Sequence, residues 1–335
     1  VNGSRVALTG SIAVDYLMAY PGRFADHLVA GGIDQVSLSF LADTMEMRYG
    51  GVAANIAVGM AALGGTPALV GAAGIDFADY RRRLEWRGVD TASVLVSATA
   101  RTATFVCTTD ERHNQIATFY AGAMAEARSI TLQPVADRLG GLDLVLVSPD
   151  DPAAMLRHAG ECREAGYPFA VDPSQQLARL APEHIRELID GAGYLFTNAY
   201  ERLLLLRHTG WTESAVLDRV GVWVTTHGAD GVRIHRRGDP PSHVPAAPVP
   251  VVADPTGAGD AFRAGFLTGA LWGWDDRQAA RLGCALAAVA LESVGTQEYD
   301  VRLPGLTSRF STAYPDAPVA ELARRLSVTE GSPTG

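Results

Sequence analysis

The feature that most constrains this chain is an alternation of short, nearly uninterrupted apolar runs with amphipathic stretches over most of its length. VALTG near residue 6, ALVGAAG near 68, LDLVLVS near 142, FAVDPS near 169, YLFTN near 194 and VWVTT near 222 have strand length and no polar face. Between them, DPAAMLRHAGECREAG and APEHIRELIDGAG carry the spacing of helices with one buried side. A strand that is apolar on both faces needs cover on both, and intervening helices supply it. The pattern predicts an α/β fold with a doubly wound, mostly parallel sheet. Past residue 256 it predicts three helices, near 258–273, 275–294 and 303–326.

Two segments depart from this rhythm. Residues 34–50 (DQVSLSFLADTMEMRYG) and 101–121 (RTATFVCTTDERHNQIATFYA) alternate apolar and polar residues with period two. That is the signature of antiparallel strands with one open face. They predict a small β-sheet projecting from the core, whose apolar face must close over a ligand or meet a second subunit. The expected division is a core of residues 1–14, 50–100 and 123–326, a β lid of 15–49 and 101–122, and a disordered polar tail of 327–335.

Composition narrows the function. Formal net charge is −9, which argues against a nucleic-acid partner, since phosphate binding needs a cationic surface. No apolar run approaches the roughly 18–20 residues that span a bilayer. The start, VNGSRVALTGS, lacks the parts of a secretory signal, so a cytoplasmic protein is expected. Cys107, Cys162 and Cys284 are far apart, which supports neither disulfides nor a zinc site. All 28 basic residues are arginine. Without lysine there is no Walker A loop, no protein-kinase strand lysine and no Schiff base. Any phosphate chemistry must then use backbone amides, arginine and metal ions.

The stretch DPTGAGDAFRAG, residues 254–265, places Gly257 and Gly259 just before Asp260 at a helix start. The glycines let the backbone turn, leaving the amides of Gly257, Ala258, Gly259 and Asp260 unpaired. With the macrodipole, about half a positive charge, they would form an anion site. Asp260 is either a charge that steadies the first helical turn or a base that takes a proton from a hydroxyl. The string is not a dinucleotide fingerprint, because Phe262 stands where the third glycine belongs. Earlier, RYGGVAANIAVGMAALG enters an apolar helix after Gly50 and Gly51 with Asn55 in its first turns. An Asn there wants a partner, and its paired donor and acceptor suit a sugar diol.

GGVAAN near the start and DPTGAGDAFRAG near the end resemble the two signatures of the ribokinase (PfkB) family of carbohydrate and nucleoside kinases. NAYE, residues 198–201, is similar to that family's Asn-x-x-Glu motif, and VTTHGADG, residues 224–231, to its nucleotide-binding strand and loop. The likeness runs from about residue 5 to 326 and implies an ATP- and Mg2+-dependent phosphotransferase; it admits K+ as an activator, though no side-chain pattern marks one. By resemblance, Asp260 is the base for the acceptor hydroxyl, and the amides of Gly257, Ala258 and Gly259 are the anion hole. Asn198, Thr226, Gly228 and Gly231 line the ATP, and Glu201 orders magnesium through water. Asp15, in TGSIAVD, holds sugar hydroxyls with Gly51 and Asn55. The loop THGADG carries His227 and Asp230 where relatives often carry apolar or basic residues, which bears on the phosphate donor; His227 receives no catalytic role.

Within the family, TGSIAVDYLMAYPGRF, VSLSFL, AGAMAEAR, DPSQQLARL and ESVGTQEY resemble bacterial adenosine kinases of the actinobacterial type. This implies transfer of the γ-phosphate of ATP to the 5′-hydroxyl of adenosine, and a homodimer joined through the lids. A purine needs flat apolar surfaces, which Phe105 and Phe119 in the second lid hairpin would offer; they would serve equally in packing the lid or a dimer seam. Ser11, Ser39, Gln175 and Gln176 are candidate polar contacts to ribose or base. The alternatives are a ribokinase or other sugar kinase of the same family, and a non-catalytic nucleotide-binding regulator.

Overall fold

The structure, a computed structural model, describes residues 3–27 and 39–330. The six apolar runs form β1 (Val6–Thr9), β4 (Ala68–Ala73), β8 (Leu144–Val147), β9 (Phe169–Val171), β10 (Tyr194–Asn198) and β11 (Val222–Thr226). With β5 (Val94–Val96), β12 (Val232–Arg236) and β13 (Ser242–Val244) they build a nine-stranded sheet in the order β13-β12-β11-β10-β9-β8-β1-β4-β5. All neighbours from β11 to β5 are parallel; the pairings β11–β12 and β12–β13 are antiparallel, so β12 alone runs against the others. These short edge strands were not expected: VRIHR alternates and SHV has only three residues, too little pattern for a buried strand.

Helices cover both faces, as the doubly apolar strands require. One face carries α1 (Val52–Ala62), α2 (Ala78–Trp86) and the C-terminal helices, in a core centred on Leu8, Ile56, Phe196 and Phe266. The other carries α3 (Gln133–Leu139), α4 (Pro152–Ala165), α5 (Pro182–Ile189), α6 (Ala199–Thr209) and α7 (Glu213–Leu217), around Val145, Ile185, Leu195 and Trp223. The C-terminal helices are four, α8 (Ala258–Leu271), α9 (Asp276–Leu291), α10 (Leu303–Ala313) and α11 (Val319–Glu330). The single helix expected over 303–326 breaks because Pro315 and Pro318 cannot supply amides to a continuing ladder. The tail expected from residue 327 begins inside α11; residues 331–335 lie outside the described residues.

The small sheet has four strands in the order β3-β2-β6-β7: β2 (Ala13–Ala19), β3 (Thr44–Gly50), β6 (Ala103–Thr109) and β7 (Gln115–Tyr120). Residues 34–38 of the first expected segment lie outside the described residues. The sheet is mixed, because β2 continues from β1 with three intervening residues and pairs parallel with β6. Glycines pack against backbone where the chain passes between the two sheets. A Cβ on Gly51, at φ 99°, would lie 2.5 Å from the Ser11 carbonyl oxygen and 2.7 Å from the Ala13 nitrogen. Gly74 and Gly122 press in the same way on the backbone of Arg101 and Thr102, and of Arg101.

Candidate active site

The order of the large sheet turns at β1, which has β4 on one side and β8 on the other. The carboxyl ends of parallel strands at such a point form a crevice. Ser11 follows β1 there, and its Oγ accepts the Val52 N–H at 3.0 Å, holding the first turn of α1. Asp15 lies half-buried on β2, with Gly50 packed beside its carboxylate, and burial pushes that carboxyl up to about 6.

Facing α1 is the loop 254–257 and the start of α8. Asp254 fixes it: Oδ1 accepts the Thr256 N–H at 2.9 Å and Oδ2 the Gly295 N–H at 3.0 Å. Gly257 caps α8 at φ 79°, ψ −3°, a left-handed conformation that glycine adopts without a Cβ penalty. Among the described residues no backbone carbonyl accepts the N–H of Gly257, Gly259 or Asp260, whereas that of Ala258 makes a long 3.4 Å contact with Pro255 O. Gly259 needs no unusual turn. A Cβ there would lie 2.9 Å from Arg263 Nη1, so this glycine makes room for a guanidinium.

Asp260 is half-buried and accepts a 2.8 Å hydrogen bond at Oδ2 from Asn55 Nδ2. Burial raises its carboxyl above the usual range, opposed by the Asn55 bond and by Arg263. A relay orients Asn55. Its Oδ1 accepts from Thr296 Oγ1 at 3.0 Å and from Gln297 Nε2 at 2.8 Å; Gln297 Nε2 also reaches the Tyr80 hydroxyl at 2.6 Å, and that hydroxyl donates to Gly50 O at 2.8 Å. One Asn55 amide hydrogen remains for a ligand. The partner that an Asn in so apolar a helix demands is thus chiefly the protein itself. Thr296 and Gln297 were missed as site residues; the apolar context of Asn55 was the one available signal.

Arg263, also missed, lies one turn into α8 and is buried. Its Nε meets Asp172 Oδ2 at 2.5 Å, Nη2 meets Asp172 Oδ1 at 2.9 Å, and Nη1 donates to Gly259 O at 2.9 Å. Asp172, just past β9, is pushed up to about 7 by burial, against the pull of Arg263 and with the charges of Glu201 and Asp260 adding to the rise.

Asn198 and Glu201 form a capping box at the start of α6: Asn198 Oδ1 accepts the Glu201 N–H and Glu201 Oε2 accepts the Asn198 N–H, both at 2.8 Å. Glu201 Oε1 has only a 3.4 Å contact, from Ser174 Oγ. Thr226 ends β11, and the following loop turns through Gly228 at φ 58° and Gly231 at φ 88°; Gly231 packs on the carbonyl of Val244. His227 is half-buried with Nε2 unpartnered, and burial together with Arg233 and Arg202 lowers its pKa. Gln176 is buried, and its Nε2 donates to Asp150 O at 2.7 Å, while Gln175 and Ser39 are exposed. Neither exposed residue forms a hydrogen bond with the site among the described residues.

The small sheet aligns one row of side chains across all four strands. Asp15 pairs with Arg48 on β3 and with Phe105 on β6, and Phe105 pairs with Phe119 on β7. Directly opposed residues share a face. Phe105 is half-buried and Phe119 is 45% exposed, so an acid and two aromatic residues share one face of the sheet with accessible surface.

Comparison with known proteins gives concordant matches. The profile of the pfkB family carbohydrate kinase matches residues 9–302. A nucleoside kinase of Methanothermobacter thermautotrophicus is 33% identical over 261 residues, 76% of this chain and 81% of that protein. The structure of the Burkholderia thailandensis nucleoside kinase in complex with inosine superposes with a TM-score of 0.82 at 35% identity, covering 93% of this chain and 99% of that one. Its complex with ADP-inosine gives 0.80 at the same identity, covering 93% and 97%.

Proposed function

The chain belongs to the pfkB family of carbohydrate kinases, and from that premise we propose that this phosphotransferase acts on a purine nucleoside, adenosine first, at its 5′-hydroxyl. The observation that carries the choice of acceptor is the in-register row of Asp15, Phe105 and Phe119. The two rings give a base the flat apolar contact that a free sugar lacks, while Asp15 stands next to them for ribose hydroxyls. The nucleoside kinases that the chain resembles support the same reading.

In this reading Asp260 receives the proton of the 5′-hydroxyl as that oxygen bonds to the γ-phosphorus and the bond to the leaving ADP breaks. The free amides of Gly257, Gly259 and Asp260, at the positive end of α8, meet the phosphoryl oxygens. Asn55 keeps the Asp260 carboxylate aimed. Thr226, Gly228 and Gly231 border the nucleotide.

Magnesium would neutralise phosphate charge. Mg2+ commonly keeps most of its waters and takes one or two carboxylates. Among the described residues no cluster of three or more His, Cys, Asp or Glu could hold a metal. Glu201 Oε1, with its single long contact, fits a water-mediated role of this kind, whereas Asn198 stays committed to the helix cap. K+ activation belongs to the same proposal. So does a homodimer, in which the outer face of the small sheet packs on its counterpart. Met45, Met47, Ile116 and Tyr120 lie on that face, each 45–65% exposed.

The test is ADP release from ATP with adenosine, inosine, guanosine, ribose, fructose and no acceptor, with and without Mg2+ and K+. Turnover with adenosine far above the sugars is expected. Turnover with ribose above every nucleoside would overturn the acceptor assignment. Asp260→Asn should keep nucleoside binding and lose about 100-fold or more in kcat.

A further inference from the structure

Three acids act electrostatically on one buried cation behind the anion site: Asp260 from α8, Asp172 from the end of β9 and Glu201 from α6. Arg263 is the cation they share. It is buried: Nη2 donates to Asp172 Oδ1, Nη1 donates to the Gly259 carbonyl, and Nε lies 2.5 Å from Asp172 Oδ2 as an ion-pair contact without hydrogen-bond geometry. Its guanidinium lies 5.8 Å from the ring centroid of Phe196 on β10. The groups facing Asp260 are Asn55 from α1, Arg263 from its own helix, Asp172, and Tyr299, whose buried hydroxyl has no hydrogen-bond partner among the described residues.

We propose that Arg263 is a positioning residue for phosphotransfer: it ties the first turn of α8 to the end of β9 and keeps the Asp260 carboxylate charged where it meets the acceptor hydroxyl. Two observations argue against a packing role alone. An apolar side chain of similar volume would fill the space between Phe196 and α8 without burying a charge, and buried ion pairs are often no more stabilising than such replacements. The residue whose Cβ would strike the guanidinium is also a glycine, Gly259, within the stretch whose amides are free. The fork thus bonds to the carbonyl side of the same turn that offers its N–H groups to an anion. A bidentate arginine sets orientation as well as charge, which a point charge at the same place would not do.

This inference rests on Asp260 accepting the hydroxyl proton, and the experiment separates the two. The profile of kcat/KM for the acceptor against pH is measured for the native chain and for Arg263→Gln, Arg263→Lys, Asp172→Asn and Asp260→Asn. Removing the cation should move the acid limb to higher pH by about one unit or more, with activity recovering as pH rises. Asp172→Asn removes the carboxylate that seats the fork and leaves the cation facing Asp260, so kcat should fall while its acid limb does not rise. Arg263→Lys keeps the charge without the fork; its limb should stay near the native position while kcat falls. An acid limb that does not move in Arg263→Gln, or a native kcat in both Arg263→Lys and Asp172→Asn, would overturn the proposal. If Arg263→Gln does not fold, Arg263→Lys decides: a lowered kcat with the limb in place supports the proposal, and a native kcat overturns it. An Asp260→Asn enzyme with near-native turnover would remove the base assignment; an inactive one beside an unmoved Arg263→Gln limb would remove only the role of Arg263.

Discussion

Gly257 and Gly259 look alike in the sequence and do different things. Only Gly257 has a left-handed backbone, and a Cβ there would lie 2.9 Å from Thr296 Cβ. Gly257→Ala should therefore displace both the free amides and the Thr296 that steadies Asn55. We expect a loss of about 1–3 kcal/mol in stability and a fall in kcat, read by thermal melts and steady-state kinetics. Gly259→Ala should leave the turn intact and disturb Arg263 instead. The reading of both glycines as turn formers was half complete, because a chain without coordinates does not reveal that a side chain four residues on returns to the same turn. Asp150 gives a separate prediction. Its Oδ1 accepts the Asp151 N–H, its Oδ2 is buried without a partner, and burial pushes the carboxyl up to about 8. A raised carboxyl favours the protonated folded state, so the contribution of Asp150 to stability should be greatest at low pH and decline as pH rises from about 4 to about 8. Asp150→Asn should flatten that decline, so its melting temperature should gain on that of the native chain progressively between about pH 5 and pH 8.

Single elements carried two meanings that the sequence could not separate. NAYE was legible as a motif, yet its visible work is to cap α6, with both side chains bonded to backbone. Asn198→Ala should lower stability by about 1 kcal/mol. Glu201→Gln retains an oxygen for the cap and loses the charge, so it should raise the Mg2+ concentration needed for half-maximal turnover while the melting temperature changes little. The apolar strands were legible because each is buried on both faces and so carries no competing pattern. β12 was not, since Arg233 and Arg236 are exposed and one of its three buried residues, His235, is polar. In the small sheet, the register that sets Phe105 against Phe119 emerges from pairing, which no local pattern states. Phe105→Ala should raise KM for the nucleoside about tenfold and leave KM for ATP near native, measured with each substrate varied in turn.

For the molecule as a whole, the doubly wound sheet followed from the alternation, and the small sheet from period-two segments. The parallel pairing of β2 with β6 did not, because AVDYLMA reads as the continuation of a core strand rather than the start of another sheet. Its outer face exposes Met45, Met47, Ile116 and Tyr120. If two copies pack there, sedimentation should show a dimer that Met47→Glu combined with Ile116→Glu converts to monomer; a native chain that sediments as a monomer at micromolar concentration would end that reading.

The glycine contacts at the crossings between the two sheets bear on how such a protein can be re-engineered. Gly51, Gly74 and Gly122 bring backbone against backbone with no side chain to match, so the seam carries almost no sequence information of its own. The small sheet is in that sense a cassette. Strands from another member of the family should be graftable at these three glycines without redesigning the large sheet, and any change in which acceptor is taken would travel with the graft.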